Sequence, residues 1–197
     1  MAVMRTTTNR SMGLSICVAL LAGCAQPARV PDSVKLKDDE GVIVYRMNCG
    51  SHIAWGEFYR SGEGSAGFFA GFRRAGALLC QEGVQTQRLE AGRYFIGKIG
   101  YTSWVDLAEN EAMTFTVTPG KLNYIGHIQL PSRVQSDGGR TLVLIGDPVV
   151  SDRSAEAHSW LTTEQDLLGR YEFTKALAQA PVKAGGQRPV TDHEAAK

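Results

Sequence analysis

No run of apolar residues in this 197-residue chain reaches the roughly 20 that a helix needs to cross a bilayer. Neither sign of charge is in surplus, with 21 Lys and Arg against 20 Asp and Glu and no acidic run. A nucleic-acid partner, which needs a basic excess, and a cation-buffering role are therefore not expected. Catalytic signatures are missing as well. There is no G-x-S-x-G elbow, and His52, His127, His158 and His193 show neither H-x-x-x-H nor H-x-H spacing. Each histidine reads as a surface or locally hydrogen-bonded side chain, and none is assigned to a metal. Gly62-Glu63-Gly64-Ser65-Ala66-Gly67 fits G-x-G-x-x-G, but Phe68-Phe69-Ala70-Gly71-Phe72 after it reads as strand where a dinucleotide site needs a helix. It is read as a β-connection, and no cofactor is expected.

What is present begins at the N-terminus. Arg5 and Arg10, the apolar Leu14–Leu21 and the small Ala22-Gly23 follow the layout of an export signal over residues 1–23. Leu21-Ala22-Gly23-Cys24 resembles the bacterial lipobox, which implies cleavage before Cys24 and a lipid on its thiol. Several acyl chains also suit stable anchoring, since one alone holds a protein marginally. Ala25, rather than Asp, resembles lipoproteins sent on to the outer membrane, so the expected location is the envelope, facing the periplasm. Loss of residues 1–23 leaves 19 basic and 20 acidic residues. Cys17 leaves with the signal and Cys24 is taken by lipid, so only Cys49 and Cys80 remain. Two thiols in an oxidising compartment point to one disulfide; two separate buried cysteines are the alternative.

Residues 25–40 carry two prolines and clustered charge without apolar periodicity, the pattern of a flexible tether. Residues 180–197 have the same character and are expected to be disordered. Between them, short β-branched runs recur between Gly and Pro: Gly41–Met47, Ala54–Tyr59, Gly67–Phe72, Ala77–Gln81, Arg93–Tyr101, Met113–Thr118, Lys121–Leu130 and Thr141–Ile145. This spacing suggests a sandwich or barrel, and an antiparallel β-sandwich over residues 41–150 is the expectation. In Lys121–Leu130 the alternation puts Leu122, Tyr124, Ile128 and Leu130 on one face and Asn123, His127 and Gln129 on the other. Pro119-Gly120 suits a type II turn. Tight hairpins prefer primed turns, so the strands on either side are expected in different sheets. Over residues 151–179 the period becomes helical. Asp152 is placed to cap a helix through Ala155–Leu161, and Thr162 with Gln165 makes a capping-box pattern for a second, with Leu167, Tyr171, Thr174 and Ala178 on one face.

Leu89-Glu90-Ala91-Gly92-Arg93-Tyr94, then Phe115 to Gly126, then the helix around Ala155–Leu161 resemble a group of bacterial envelope lipoproteins with transthyretin-like or carboxypeptidase-regulatory-like β-sandwich domains. The resemblance covers residues 85–165 and rests on an L-x-x-G-x-Y strand and a later P-G-x-x-x-Y-I-G strand. It implies fold and location and carries no catalytic residue.

The expected function is that of a lipid-anchored, non-catalytic interaction or structural module with a membrane contact and an envelope protein as partner. A sandwich that binds a small apolar or peptide ligand is the second reading, and an envelope hydrolase the third. The candidate contact residues are Phe69, Phe72, Arg73 and Arg74, where aromatics precede two cations. The same residues could instead complete the core.

Overall fold

Gly41–Met47 is apolar at nearly every position, which suits a strand covered on both faces better than one with a wet side. In the computed structural model, which describes residues 29–62, 74–100, 104–137, 140–181 and 188–190, that stretch lies in β1 (Glu40–Cys49), an inner strand of one sheet. Val42 and Val44 point to one side with Leu122, Tyr124, Ala157 and Leu161. Ile43, Tyr45 and Met47 point to the other, with Phe58, Tyr94 and Phe115. The protein is thus mainly β, a sandwich-like stack of two sheets with a helix laid on the outer face of one of them.

The first sheet joins β1 to β4 (Gln81–Glu90) in antiparallel register and to β8 (Lys121–Leu130) in parallel register. Along its other edge β8 meets β11 (Val149–Ser151) antiparallel and β12 (Glu172–Lys175) parallel. The antiparallel expectation therefore holds for most pairings but not for β1–β8 or β8–β12. The second sheet orders β3 (Arg74–Leu79), β2 (Trp55–Arg60), β5 (Gly92–Gly100) and β6 (Trp104–Asp106), with β7 (Thr114–Val117) also on β5. A small third sheet holds β9 (Ser132–Asp137), β10 (Arg140–Ile145) and β13 (Arg188–Val190). The C-terminal stretch, expected to be disordered, thus contributes a strand to β10.

The strands flanking Pro119-Gly120 do separate: β7 pairs with β5 and β8 with β1. Gly120 has φ of 68°, as a type II turn requires. Asn123 holds this crossing. Its Oδ1 accepts from the Thr118 N–H at 2.9 Å, while its Nδ2 donates to Thr118 O at 3.0 Å and Lys121 O at 3.1 Å.

Three stretches depart from the sequence reading. The first is β8, whose register against β1 slips between Val44 and Tyr45, so that Tyr45 faces Gly126 and Ile125 is the extra residue of a bulge. Gly126 takes φ of 114°, and a Cβ there would lie 2.7 Å from Val150. The bulge breaks the alternation: Leu122 and Tyr124 face the helix, whereas Ile125, Ile128 and Leu130 face the second sheet.

The second is the C-terminal region. One helix forms, α1 (Ser154–Glu164), with the Ser154 N–H bonded to Asp152 Oδ1 at 2.9 Å. No second helix follows among the described residues. Gln165 ends α1 and spends its side chain elsewhere. Arg170 and Tyr171 both donate to Leu167 O in a turn, and the chain then enters β12. The open edge of β8 offers backbone partners that outweigh the weak helical pattern.

The third is the expected tether. Val30 is buried; its N–H donates to Thr86 Oγ1 at 2.8 Å, and its carbonyl accepts from Gln165 Nε2 at 2.8 Å. Further on, the Leu36 N–H donates to the Tyr171 hydroxyl, which itself donates to Val34 O at 3.0 Å. Residues 30–36 form a strap that ties the end of α1 to the first sheet. The segment carries only three apolar side chains worth burying, too few for a periodicity test to detect.

Candidate functional site

The sequence-derived residues fall in three places. Cys24, Phe69, Phe72 and Arg73 lie outside the described residues. Arg74 opens β3 with an exposed side chain 3.2 Å from Glu57. Cys49 and Cys80 are joined, linking the end of β1 to the residue between β3 and β4, with Cα atoms 5.6 Å apart.

Two further features were not legible in the sequence. One is an apolar cleft at an end of the inter-sheet core, lined by Met47, Ile99, Val105, Leu107, Met113 and Ile128, with Glu111 and Asp147 at its mouth. Its volume is about 50 Å³, room for a few water-sized groups. Ligand pockets for drug-sized molecules run to roughly 300–1,000 Å³.

The other is a polar nook under α1. The bulge at Ile125-Gly126 turns His127 toward the helix, where it is 3% exposed beside Arg46, Tyr124, Arg153 and Glu156. Glu156 accepts from Arg46 Nη1 at 2.8 Å and lies 3.7 Å from Arg153 Nη1. The Arg153 N–H donates to the Tyr124 hydroxyl at 3.0 Å. Neither ring nitrogen of His127 has a hydrogen-bond partner among the described residues, nor does Arg46 Nε. Burial, and then the charges of Arg153 and Arg46, push the His127 pKa below its ordinary value, against the smaller opposite pull of Glu156. Nearby Asp152, accepting hydrogen bonds from Ser154 and Lys175, is held down at about 2. Gly126, an isolated glycine inside a strand pattern, was the one signal of the bulge that makes this nook. The space beside this histidine is about 10 Å³, room for no more than one water-sized group.

The consequence for stability has a definite sign. With the folded pKa depressed, the unfolded chain binds the proton first as pH falls below about 6.5, so stability is full above that value. It declines as pH falls through the folded value. The midpoint of thermal unfolding is expected to drop between about pH 7 and about pH 5, and the drop should be smaller in His127→Gln. Equal drops in the two proteins would remove His127 as the cause.

Among the described residues no group of three or more His, Cys, Asp or Glu is placed to hold a metal ion. No helix among them is long and apolar enough to cross a membrane. Comparison with models of protein families, with curated proteins and with solved structures finds no match to this chain. The geometry of the chain itself is therefore the basis for any functional reading.

Proposed function

We propose that the protein is a lipid-anchored component of a bacterial cell envelope that works through a surface held close to the membrane, without a catalytic residue. The observation that carries this reading is the spacing between Cys24, at the end of a lipobox-like sequence, and Val30, the buried start of the strap. They are six positions apart, so an extended link spans at most about 22 Å. A flexible tether over residues 25–40 would have let the domain roam farther; the strap takes up residues 30–36 of that length. The disulfide supports an oxidising compartment. Ala25 after the cysteine, and the resemblance to envelope lipoproteins over residues 85–165, support the outer membrane, on its periplasmic side.

The ligand-binding reading draws on the apolar cleft, whose two methionines are adaptable. Its small volume favours the surface reading over it.

Mass spectrometry of the N-terminal peptide of the envelope-extracted protein tests the proposal. Cys24 is expected to be the first residue and to carry acyl chains, and Cys24→Ser should shift the protein from the membrane to the soluble fraction or stop its processing. A Cys24→Ser protein that stays with membranes and is cut at the same bond would overturn the reading.

A further inference from the structure

The strap ends beside an opening between the free edges of the two sheets. Among the described residues β3 pairs only with β2, and β4 only with β1, and a groove of about 790 Å³ runs between them. Its floor is apolar, with Ala77, Leu79 and Val34. Its rim carries Arg29, Arg74 and Arg88, and no carboxylate among the described residues lines it.

Each of these arginines does have an acidic neighbour: Glu57 lies 3.2 Å from Arg74, Glu40 3.8 Å from Arg88, and Glu164 3.9 Å from Arg29. The side chains of Glu57 and Glu40 are only 16% and 8% exposed, whereas the three arginines are 59%, 48% and 44% exposed. Two of the three negative charges are thus set into the protein and the positive ends face out. A guanidinium has five N–H donors, and one carboxylate oxygen within reach leaves most of them for another acceptor. Arg29 also lies 5.0 Å over the ring of Trp160, pairing a cation with the kind of aromatic that favours a membrane interface.

We propose that this groove docks on the headgroups of anionic phospholipid in the bilayer that holds the Cys24 lipid. The inference rests on the lipid-anchored reading and adds to it the face that meets the membrane. Two observations select this occupant. The chain leaves the described structure at Arg29, on the rim itself, five residues from Cys24, so at most about 18 Å of extended chain separates the rim from the anchor. The rim also presents the planar donors that match phosphate oxygens in pairs. Contact by a groove already held at the surface is intramolecular, so a weak phosphate interaction is enough to orient the domain.

The test uses the chain from residue 24 onward with Cys24→Ser, so that no acyl chain contributes. Co-sedimentation is measured with vesicles of phosphatidylcholine alone and with an added fraction of phosphatidylglycerol. Binding is expected only with phosphatidylglycerol, and is expected to vanish at about 1 M salt, where the Debye length is about 3 Å. An arginine near an anionic surface strengthens binding about five-fold, so Arg29→Gln, Arg74→Gln and Arg88→Gln together should weaken it by on the order of 100-fold. Because that variant exposes Glu40 and Glu57 to loss of their partners, the triple change to lysine serves beside it. The lysine variant is expected to fold and to retain vesicle binding through its charge. Equal binding to both vesicle types, or salt-insensitive binding, overturns the proposal. The two readings fail separately. An acylated Cys24 in the native protein with no phosphatidylglycerol-dependent binding of the soluble chain overturns the groove and leaves the anchor. Such binding with an unmodified Cys24 supports the groove and overturns the anchor.

Discussion

Replacing Cys49 and Cys80 together by alanine is expected to lower the free energy of unfolding by about 3 to 4 kcal/mol. The bond closes a loop whose ends are 31 residues apart and which includes β2 and β3, two neighbouring strands of the second sheet. In chain-entropy terms, opening that loop returns to the unfolded ensemble the freedom of the whole segment, while the folded state keeps its pairings. The position adds to the effect. Cys49 ends β1 in the first sheet and Cys80 lies where the chain passes from β3 to β4, so the bond ties the end of β1 to the corner between the sheets, beside the packed core. Urea unfolding of the pair variant, and of the unaltered protein with and without a reducing agent, measures it. A change under about 1 kcal/mol would mean that the strands hold the loop without the bond.

Phe58→Ala is expected to cost about 3 to 5 kcal/mol, the usual range for removing a buried aromatic ring. Phe58 is fully buried in β2 and stands edge-on to Tyr94 at 5.7 Å and to Phe115 at 5.4 Å, joining side chains from three strands. The fit is close on the neighbouring strand too, because a Cβ at Gly76 would lie 2.5 Å from the end of the ring. Collapse around the missing ring would have to move β3 toward β2, which their paired backbones resist. The cavity therefore stays largely open and its cost is retained. Thermal and urea unfolding of the variant check this, and a loss below about 1.5 kcal/mol would show that the sandwich closes around the gap.

Most strands were legible because their signal is local: β-branched and aromatic residues between glycines and prolines. Those without it, such as Gln81–Glu90 with its run of polar residues and Ser132–Asp137, were partly or wholly missed. Gln85 shows why. It is fully buried in β4 because its side chain takes up the Tyr45 hydroxyl at 3.2 Å and the Leu79 carbonyl at 2.9 Å, partners 40 and 6 residues away. A polar residue satisfied by distant groups looks like a solvent residue in the sequence. Thr162 and Gln165 misled in the opposite direction. The spacing of a capping box is present, yet Gln165 serves Val30 and Thr86. The candidate contacts were legible only as composition. Of the four, Arg74 is described, and the groove it borders brings it together with Arg29 and Arg88, residues from the strap and from β4.

The sequence by itself determined what depends on neighbours along the chain: a mainly β fold, and a turn at Pro119-Gly120 that sends its flanking strands to different sheets. Tertiary structure alone decided what depends on which strand lies beside which. Side-chain alternation has a period of two, so the single extra residue at Ile125 moved His127 from the expected outer face to the underside of α1 and divided the apolar residues of β8 between two layers. The free edge of β8 likewise made a strand of Glu172–Lys175, where the residue pattern alone suggested a helix. Buried partners for Val30 turned a stretch that reads as linker into a strap, and hydrogen bonds to groups 56 and 135 residues away leave no trace in local composition.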